Sequence, residues 1–303
     1  MVAEPAIELQ IRPSKCWSVV GQLADVIQKN ASRWFDCFGK SISVFETLDQ
    51  LPLEMELIRY PERHSGFGSG TQIAFSVARL LFEATGIETA ETATIARALN
   101  RGQRSAVGSR GFELGGMLVD KGIHKTENLS PLISRTEFPT DWRVVLFTPR
   151  NLIGNHGAIE SLAFEKITHS VQSHRERLFK LCNEEVIPAI ANADYESLGM
   201  PLFEFNQQSG QYFGEYQHGC YHSSTCETIV NQVRAFGVTA VGQSSWGPCI
   251  FAITKSQDHA NELVEFMSQA FPDPAKHSNI GIAITSGNNT GANLQIRSLS
   301  RSN

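Results

Sequence analysis

The sequence RHSGFGSGTQ, residues 63–72, runs directly into an apolar-periodic segment at residues 73–81. Its glycines let the backbone come close to a ligand, and the helix expected to follow turns its free N–H groups and positive dipole end toward that ligand. Arg63 and His64 bring charge to the loop entrance, and His64 is a candidate catalytic residue. The candidate binding residues are Gly66, Gly68, Ser69, Gly70, Thr71 and Gln72. The loop therefore predicts a site for a phosphorylated or pyrophosphorylated small molecule.

This loop matches neither of two well-known nucleotide-binding patterns. A Walker A motif needs Gly-Lys-Ser/Thr at a fixed distance, which the loop lacks, and the three-glycine dinucleotide pattern does not fit either. A Gly/Ser-rich turn that only caps a helix stays open as an alternative for the loop taken alone.

The composition is that of an ordinary globular protein with room for two domains. At 303 residues, with 41% hydrophobic and 19% charged residues, the chain has the size at which one core usually becomes two. A change of pattern near Pro139 places the predicted boundary between residues 1–140 and residues 141–303. No apolar run approaches the roughly 18 residues that span a bilayer, and the N-terminus lacks a signal-peptide pattern. We therefore expect a cytoplasmic protein that does not bind membranes.

Charge and cysteine content narrow the range of partners. A net charge of −5 and a pI near 6.0 argue against nucleic acid as a partner. The six cysteines include no Cys-x-x-Cys pair, which predicts reduced thiols. Two histidines and two cysteines lie close together in the sequence, and a metal site there is weighed against surface and capping roles. These residues are His218, Cys220, His222 and Cys226. The number of subunits stays open, with a homodimer as one option.

Hydrophobic periodicity predicts an α+β protein in two lobes without internal repeats. Strands are predicted at residues 6–11, 53–60, 117–120, 142–148, 238–241, 249–254, 280–285 and 294–296. Helices are predicted at residues 17–35, 70–85, 90–99, 159–170, 175–193, 195–205, 224–236 and 258–271. The helix at 70–85 follows the glycine loop and is closed by Gly86.

The stretch from Thr92 to Phe112 contains four arginines and no Asp or Glu, although the whole protein is acidic. Arg101 and Arg104 fall where a helix is expected to open into a loop, so they are candidate catalytic residues that grip phosphate oxygens. A solvated helix face is the alternative, and it accounts for Arg97 better than for Arg101 and Arg104.

Polar residues after these arginines are candidates for substrate and metal binding. Ser105 belongs to a second glycine-bearing segment, RGQRSAVGSRGFELGG at residues 101–116, and is a candidate phosphate ligand. Glu113 and Asp120 are the carboxylates nearest to the glycine segments, so Glu113 is a candidate catalytic residue and Asp120 a candidate Mg²⁺ ligand. Asp120 also precedes Lys121-Gly122, and a turn role is its alternative.

A further loop, GQSSWGP at residues 242–248, lies between two predicted strands of the second lobe. Serines beside a Trp and a Pro suit a rigid wall whose polar donors face a ligand. The candidate binding residues are Gln243, Ser244, Ser245 and Trp246. A hairpin with a buried Trp is the alternative. The position of this loop predicts a cleft closed by loops from both lobes.

Three segments in order, HSGFGSGTQ (64–72), RGQRSAVGSRGFELGG (101–116) and GQSSWGP (242–248), resemble the beta-ribofuranosylaminobenzene 5'-phosphate synthases of the GHMP kinase superfamily. The likeness runs from about residue 53 to residue 285. It implies a GHMP-kinase-like fold with an N-terminal α/β lobe and a C-terminal ferredoxin-like lobe. It also implies a Mg²⁺-assisted reaction between phosphoribosyl pyrophosphate (PRPP) and 4-aminobenzoate or 4-hydroxybenzoate. CO₂ and pyrophosphate leave, in an early step toward methanopterin-type carriers.

Two departures from the family pattern bear on function. In GHMP kinases a Ser-Gly-x-Asp pattern supplies an Asp that serves the phosphoryl acceptor, whereas the matching residues here are Ser105-Ala106-Val107-Gly108, so a kinase that relies on that Asp is not expected. The family's first strand, with an Arg-Leu-His type motif, has no counterpart before Pro5. We expect either a misplaced start codon or a truncation. An ATP-dependent kinase and a non-catalytic phosphate-binding remnant are the alternatives to the synthase.

Overall fold

The computed structural model describes residues 1–41, 45–62, 65–103, 105–122, 129–150, 152, 172–217, 219–245, 247–271 and 279–297. Its strands and helices form two lobes, one around a three-stranded sheet and the other around a four-stranded sheet. The expected two-lobed α+β fold is confirmed, while the boundary at residues 140 and 141 stays a prediction. In the described part of the chain, no helix has both the length and the apolar character needed to cross a membrane.

The sheet of the first lobe has the strand order β1-β3-β2. Its strands are β1 (Glu8–Pro13), β2 (Ser18–Val20) and β3 (Leu53–Arg59). β3 pairs antiparallel with β1 and parallel with β2. Alternation along β3 places Met55 and Leu57 in the core shared with α1 (Ala24–Phe38) and α2 (Ser69–Thr85). Trp34 of α1 packs edge-on against Phe82 of α2, with ring centroids 5.3 Å apart.

Helix α2 follows the glycine loop directly and ends where the sequence predicts. Gly86, the residue after its last turn, has a φ of 70°, in the left-handed region that favours glycine. The elements that follow are α3 (Thr92–Ala98), α4 (Val107–Leu114), β4 (Met117–Asp120) and β5 (Leu132–Thr136). β4 and β5 form an antiparallel pair.

The second lobe is an antiparallel sheet with helices on both faces. Its strands, in the order β7-β8-β6-β9, are β6 (Arg143–Pro149), β7 (Val241–Gln243), β8 (Ile250–Thr254) and β9 (Ile280–Thr285). Its described helices are α5 (Gln172–Leu181), α6 (Ile187–Ala191), α7 (Tyr195–Tyr212), α8 (Ser224–Phe236) and α9 (Gln257–Ala270). A π-helical turn, Cys182–Val186, joins α5 to α6. With α8 before β7 and α9 before β9, the strand order is that of the ferredoxin-like β-α-β-β-α-β unit.

Strand β6 is buried on both faces of this sheet. Val145 and Phe147 belong to the core that contains α8 and α9, whereas Val144 and Leu146 belong to the core that contains α6 and the start of α7. Burial on two faces explains why this strand reads as an unbroken apolar run in the sequence.

Several predicted elements require correction. The helical pattern at residues 17–35 contains β2, and the helix begins only at Ala24, after Leu23 adopts a left-handed φ of 56°. Pairing with β3 outweighs the local periodicity there. Residues 294–296 form no strand, and residues 132–136 form a strand that the pattern did not predict. The helix predicted at residues 159–170 lies outside the described residues.

Helix α4 also differs from expectation, since its segment was interpreted as a glycine loop. A Cβ on Gly108 would lie 3.3 Å from Cγ2 of Thr71, so this face of α4 is in close contact with α2. Tertiary packing therefore accounts for a helix whose glycines have low intrinsic helix propensity.

Candidate functional site

The start of α2 presents backbone donors without a side-chain cap. Gly66 and Gly68 have φ values of 98° and 65°, in the region that favours glycine, and they turn the chain into the helix. Within the described ranges no side chain accepts from the first N–H groups of α2, and its first turn has no acidic residue. Ser69 is buried, while Gly70 and Thr71 are half-buried. An uncapped helix start of this kind is suited to an anion such as phosphate.

Arg101 lies beside this helix start, so the structure brings together two features that are about thirty residues apart in sequence. Its Nη1 atom is 3.5 Å from the point that a Cβ on Gly70 would occupy. Burial, and secondarily the nearby Arg33 guanidinium, lower the pKa of Arg101. The Arg101 Nε–H group is buried and has no hydrogen-bond partner in the described structure. A buried donor without a partner requires an explanation, and an anionic ligand supplies one.

The glycine loop and the GQSSWGP loop meet across the two lobes. Ser244 Oγ donates a hydrogen bond to the Gly66 carbonyl oxygen at 2.6 Å. A Cβ on Gly66 would be 3.1 Å from the Gly247 Cα atom, so the two backbones pass with no room for a side chain. Phe67 packs against the core of the second lobe. The two loops that the sequence assigns to one cleft are thus in contact.

The second glycine-bearing segment, residues 101–116, contacts the start of α2 through the start of α4. Gln72 Nε2 donates to the Gly108 carbonyl oxygen at 2.8 Å, and Gly108 faces Thr71. The resemblance matches Gly108 to the position at which the kinase pattern carries Asp. A side chain here would point toward the first turn of α2, and this chain has no carboxylate at that position.

Asp120 braces the start of α4. One of its carboxylate oxygens accepts from Ser105 Oγ and from the Ala106 N–H, both at 2.6 Å, and the other accepts from the Gly122 N–H at 3.0 Å. These contacts correspond to the turn role considered as the alternative for Asp120. Its role as a Mg²⁺ ligand, and that of Ser105 as a phosphate ligand, stay predictions.

Glu113 lies at the opposite end of α4. Its carboxylate accepts from Thr92 Oγ1 and is 3.6 Å from the Arg110 Nη1 atom. It lies six positions after Val107, roughly 9 Å along the helix axis. The structure therefore places Glu113 toward α3, and its catalytic role stays a prediction.

Gln243 organises the second-lobe loop from a buried position. Its Oε1 accepts from the His222 N–H at 2.6 Å, and its Nε2 donates to the Ser245 carbonyl oxygen at 3.0 Å. Asn206 pairs with both backbone groups of Gln243, at 2.9 and 2.8 Å. Ser245 is exposed and has a φ of 49°. Ser245 therefore faces solvent, whereas the side chains of Gln243 and Ser244 form hydrogen bonds to other groups of the protein.

His64, Arg104 and Trp246 lie outside the described residues, as do Arg63 and His218. Their predicted roles stay predictions. Across the described ranges, no group of three or more His, Cys, Asp or Glu side chains is arranged to hold a metal ion. In the segment weighed as a metal site, Ser223 caps α8 by accepting from the Cys226 N–H, and Cys226 Sγ donates to the Pro248 carbonyl oxygen at 3.4 Å.

Two residues of the site were not indicated by the sequence. Arg33, on α1, donates from Nη1 to the Leu99 carbonyl oxygen at 3.0 Å and lies near Arg101. Asn206, on α7, fixes the backbone of Gln243. Both lie in ordinary helical patterns, and only the tertiary arrangement connects them to the loops.

Curated proteins of one kind match a large part of this chain. Beta-ribofuranosylphenol 5'-phosphate synthase from Archaeoglobus fulgidus is 31% identical over 220 residues, covering 67% of this chain and 65% of that protein. The protein of the same name from Methanothermobacter thermautotrophicus is 28% identical over 244 residues, covering 76% of this chain and 69% of that protein. The chain thus spans just under two thirds of the Archaeoglobus relative. Residues 186–273 match the family model described as GHMP kinases C terminal.

Solved structures share the fold at low sequence identity. Homoserine kinase from Cytophaga hutchinsonii has a TM-score of 0.66 at 14% identity, covering 96% of this chain and 89% of that one. The mevalonate kinase of L. major, solved with R-mevalonate, has a TM-score of 0.60 at 14% identity, covering 94% and 86%. The fold is therefore that of the GHMP kinases, and residues 186–273 match the C-terminal model of that family. In sequence, the chain is similar to curated beta-ribofuranosylphenol 5'-phosphate synthases.

Proposed function

We propose that this protein is an enzyme that transfers the phosphoribosyl group of PRPP to 4-hydroxybenzoate or 4-aminobenzoate with loss of CO₂. The ring carbon that bears the carboxylate forms a bond to the ribose anomeric carbon. The bond from that carbon to pyrophosphate breaks, and pyrophosphate keeps the electron pair. The ring–carboxylate bond also breaks, and its electrons restore the aromatic ring as CO₂ leaves. The observation that carries the proposal is the uncapped start of α2 with Arg101 beside it.

The chemistry needs stabilisation of negative charge more than it needs a nucleophile. As pyrophosphate departs, positive charge develops at the anomeric carbon and negative charge on the leaving group. Preorganised donors in a desolvated site are effective at such a centre, because they need no reorganisation when the charge appears. The N–H groups at the start of α2 and the half-buried Arg101 are donors of this kind.

The names of the relatives bear on the acceptor. They are synthases of beta-ribofuranosylphenol 5'-phosphate. Loss of CO₂ from 4-hydroxybenzoate leaves a phenol ring, whereas loss of CO₂ from 4-aminobenzoate leaves an aminobenzene ring. We therefore propose 4-hydroxybenzoate as the first acceptor to test, within the synthesis of a methanopterin-type carrier.

Mg²⁺ is proposed to enter the site together with PRPP. Mg²⁺ commonly binds through one or two carboxylates together with substrate phosphates. Both Asp120 oxygens accept hydrogen bonds from the protein, and the described residues offer no cluster of metal ligands. These residues fit a metal held mainly by the diphosphate, with Asp120 as the candidate protein ligand. When bound, the ion would neutralise charge on the diphosphate.

An ATP-dependent kinase is the second candidate, because the solved structures of this fold include kinases. Gly108 counts against it, since no carboxylate lies where the kinase pattern carries its Asp. Calorimetric titrations with PRPP and with ATP, each with Mg²⁺, separate the two candidates. We expect the lower Kd for PRPP. Tighter binding of ATP, with phosphate transfer to a small alcohol, would favour the kinase.

A further inference from the structure

Arg33 links α1 to the segment that carries Arg101. Its Nη1 atom donates to the Leu99 carbonyl oxygen at 3.0 Å, two residues before Arg101. The Arg101 backbone N–H donates to the Ala96 carbonyl oxygen at 2.7 Å, which fixes the chain at the same helix end. The two guanidinium groups therefore belong to one small region at the end of α3, and the Arg101 group reaches from there to Gly70.

The described structure provides no carboxylate for either group. The described ion pairs use Arg12, Arg59, Arg110, Arg135, Arg177 and Lys180. The sequence from Thr92 to Phe112 contains no acidic residue. The first turn of α2 contains none either, and its helix dipole adds further positive charge. Three sources of positive charge thus lie together without a negative partner among the described residues.

Such an arrangement is unfavourable unless an anion compensates it. Burial destabilises the charged form of Arg101, and the like charge of Arg33 adds to that effect, so the pKa of Arg101 is lowered. The orphaned Nε–H of Arg101 points to the same missing partner.

Arg33 is half-buried, and among the described residues its guanidinium group has one hydrogen-bond acceptor, the Leu99 carbonyl oxygen. A guanidinium carries five N–H donors, and the hydrogen bond to Leu99 uses one of them. A neutral side chain could satisfy that carbonyl without placing a second charge near Arg101.

We propose that Arg33 is a second arginine of the diphosphate-binding site, acting together with Arg101 and the start of α2. The identity of the ligand as the diphosphate of PRPP rests on the proposed function. The binding itself does not, because inorganic pyrophosphate carries the same group and can be titrated without turnover.

The test is calorimetric titration of inorganic pyrophosphate into the full chain and into Arg33→Gln, Arg101→Gln and Arg97→Gln. Arg97 is the matched control, since it lies in the same acid-free stretch but is exposed. Loss of a charge-assisted hydrogen bond should raise the Kd of Arg33→Gln and Arg101→Gln about 10-fold to 100-fold, with less than about a 2-fold change for Arg97→Gln. Wild-type affinity in Arg33→Gln would overturn the proposal, as would a wild-type chain that does not bind pyrophosphate.

Arg33→Gln also weakens the contact to Leu99, so its thermal unfolding must be measured. If it does not fold, Arg33→Lys decides, because Lys keeps the charge but lacks the planar fork of donors. We expect Arg33→Lys to bind pyrophosphate several-fold more weakly than wild type, and unchanged affinity would overturn the proposal. Pyrophosphate binding through Arg33 without CO₂ release would reject the proposed reaction and keep this site. CO₂ release together with unaffected pyrophosphate binding in Arg33→Gln would reject the role of Arg33 and keep the proposed reaction.

Discussion

Ser244 Oγ donates a hydrogen bond of 2.6 Å to the carbonyl oxygen of Gly66, and this bond joins two loops from different lobes. Gly247, in the same second-lobe loop, lies against the Gly66 backbone. The conformation of the glycine loop therefore depends on the second lobe as well as on its own sequence. Because α2 begins directly after this loop, the direction of its free N–H groups depends on the same contact.

Removal of the Ser244 hydroxyl should loosen the glycine loop. In Ser244→Ala the Gly66 carbonyl loses its partner, so we expect the free energy of unfolding to fall by about 1 kcal/mol and PRPP to bind several-fold more weakly. Chemical denaturation and calorimetry measure the two effects. Ser224→Ala is the control, because Ser224 is exposed and lies outside both loops. Equal behaviour of the two variants would show that the hydrogen bond does not shape the site.

A methyl group at position 247 should force the two loops apart. A Cβ on Gly247 would fall on backbone atoms of Ser65 and Gly66, including the Ser65 carbonyl carbon at 2.8 Å. Backbone cannot move aside as a flexible side chain can, so Gly247→Ala should lose about 1–3 kcal/mol of stability and bind PRPP more weakly. Gly281→Ala, where the nearest atom would be 3.6 Å away, is the matched control. If Gly247→Ala were as mild as the control, the close approach of the loops would be contradicted.

Asp120 should matter for stability whether or not it binds metal. Asp120→Ala removes the acceptor for two hydrogen bonds at the start of α4 and one from Gly122, so we expect a loss of about 2 kcal/mol in urea denaturation. Glu137→Ala, at an exposed carboxylate paired with Arg135, should change stability by less than about 0.5 kcal/mol. Asp120→Asn tests the metal role, since it should raise the Mg²⁺ concentration needed for PRPP binding. If Asp120→Ala were as stable as the wild type, Asp120 would not brace the start of α4.

Cysteine labelling should separate the exposed thiols from the buried ones. Burial raises the pKa of Cys182 to about 11 and that of Cys249 to about 12, so both remain thiols at pH 8, and only a thiolate reacts readily. With iodoacetamide at pH 8, mass spectrometry should find Cys16 and Cys37, which are exposed, modified first. Cys249 should stay protected from pH 7 to pH 9. The denatured chain should label at every cysteine. Early modification of Cys249 in the folded protein would contradict its burial.

The sequence was most informative where local chemistry and fold agree. The glycines before α2, its length and its closure at Gly86 follow from local rules, and the structure has them as predicted. The strands predicted at residues 142–148 and 280–285 also form, as β6 and β9, and they pair with each other. The position of the loop at residues 242–248 predicted a cleft closed by loops from both lobes, and the loops at Gly66 and Gly247 do meet.

Other features depend on tertiary contacts that no local pattern reports. The helix at Val107–Leu114 contains two glycines, and it packs against α2 at Thr71. Strand β2 forms because β3 lies beside it, against a helical periodicity in the same residues. In the sequence pattern, Arg33 is an ordinary polar position of an amphipathic helix. Its proximity to Arg101 arises only from the packing of α1 against α3.

The most direct test of the central claim is release of labelled CO₂. The purified chain is incubated with PRPP, Mg²⁺ and 4-hydroxybenzoate or 4-aminobenzoate labelled in the carboxyl group, with reactions lacking PRPP as controls. We predict PRPP-dependent release of labelled CO₂, matched by an equal amount of pyrophosphate and by a ribofuranosyl-arene 5'-phosphate. No release with either acid, from a chain that folds and binds PRPP, would contradict the proposed reaction.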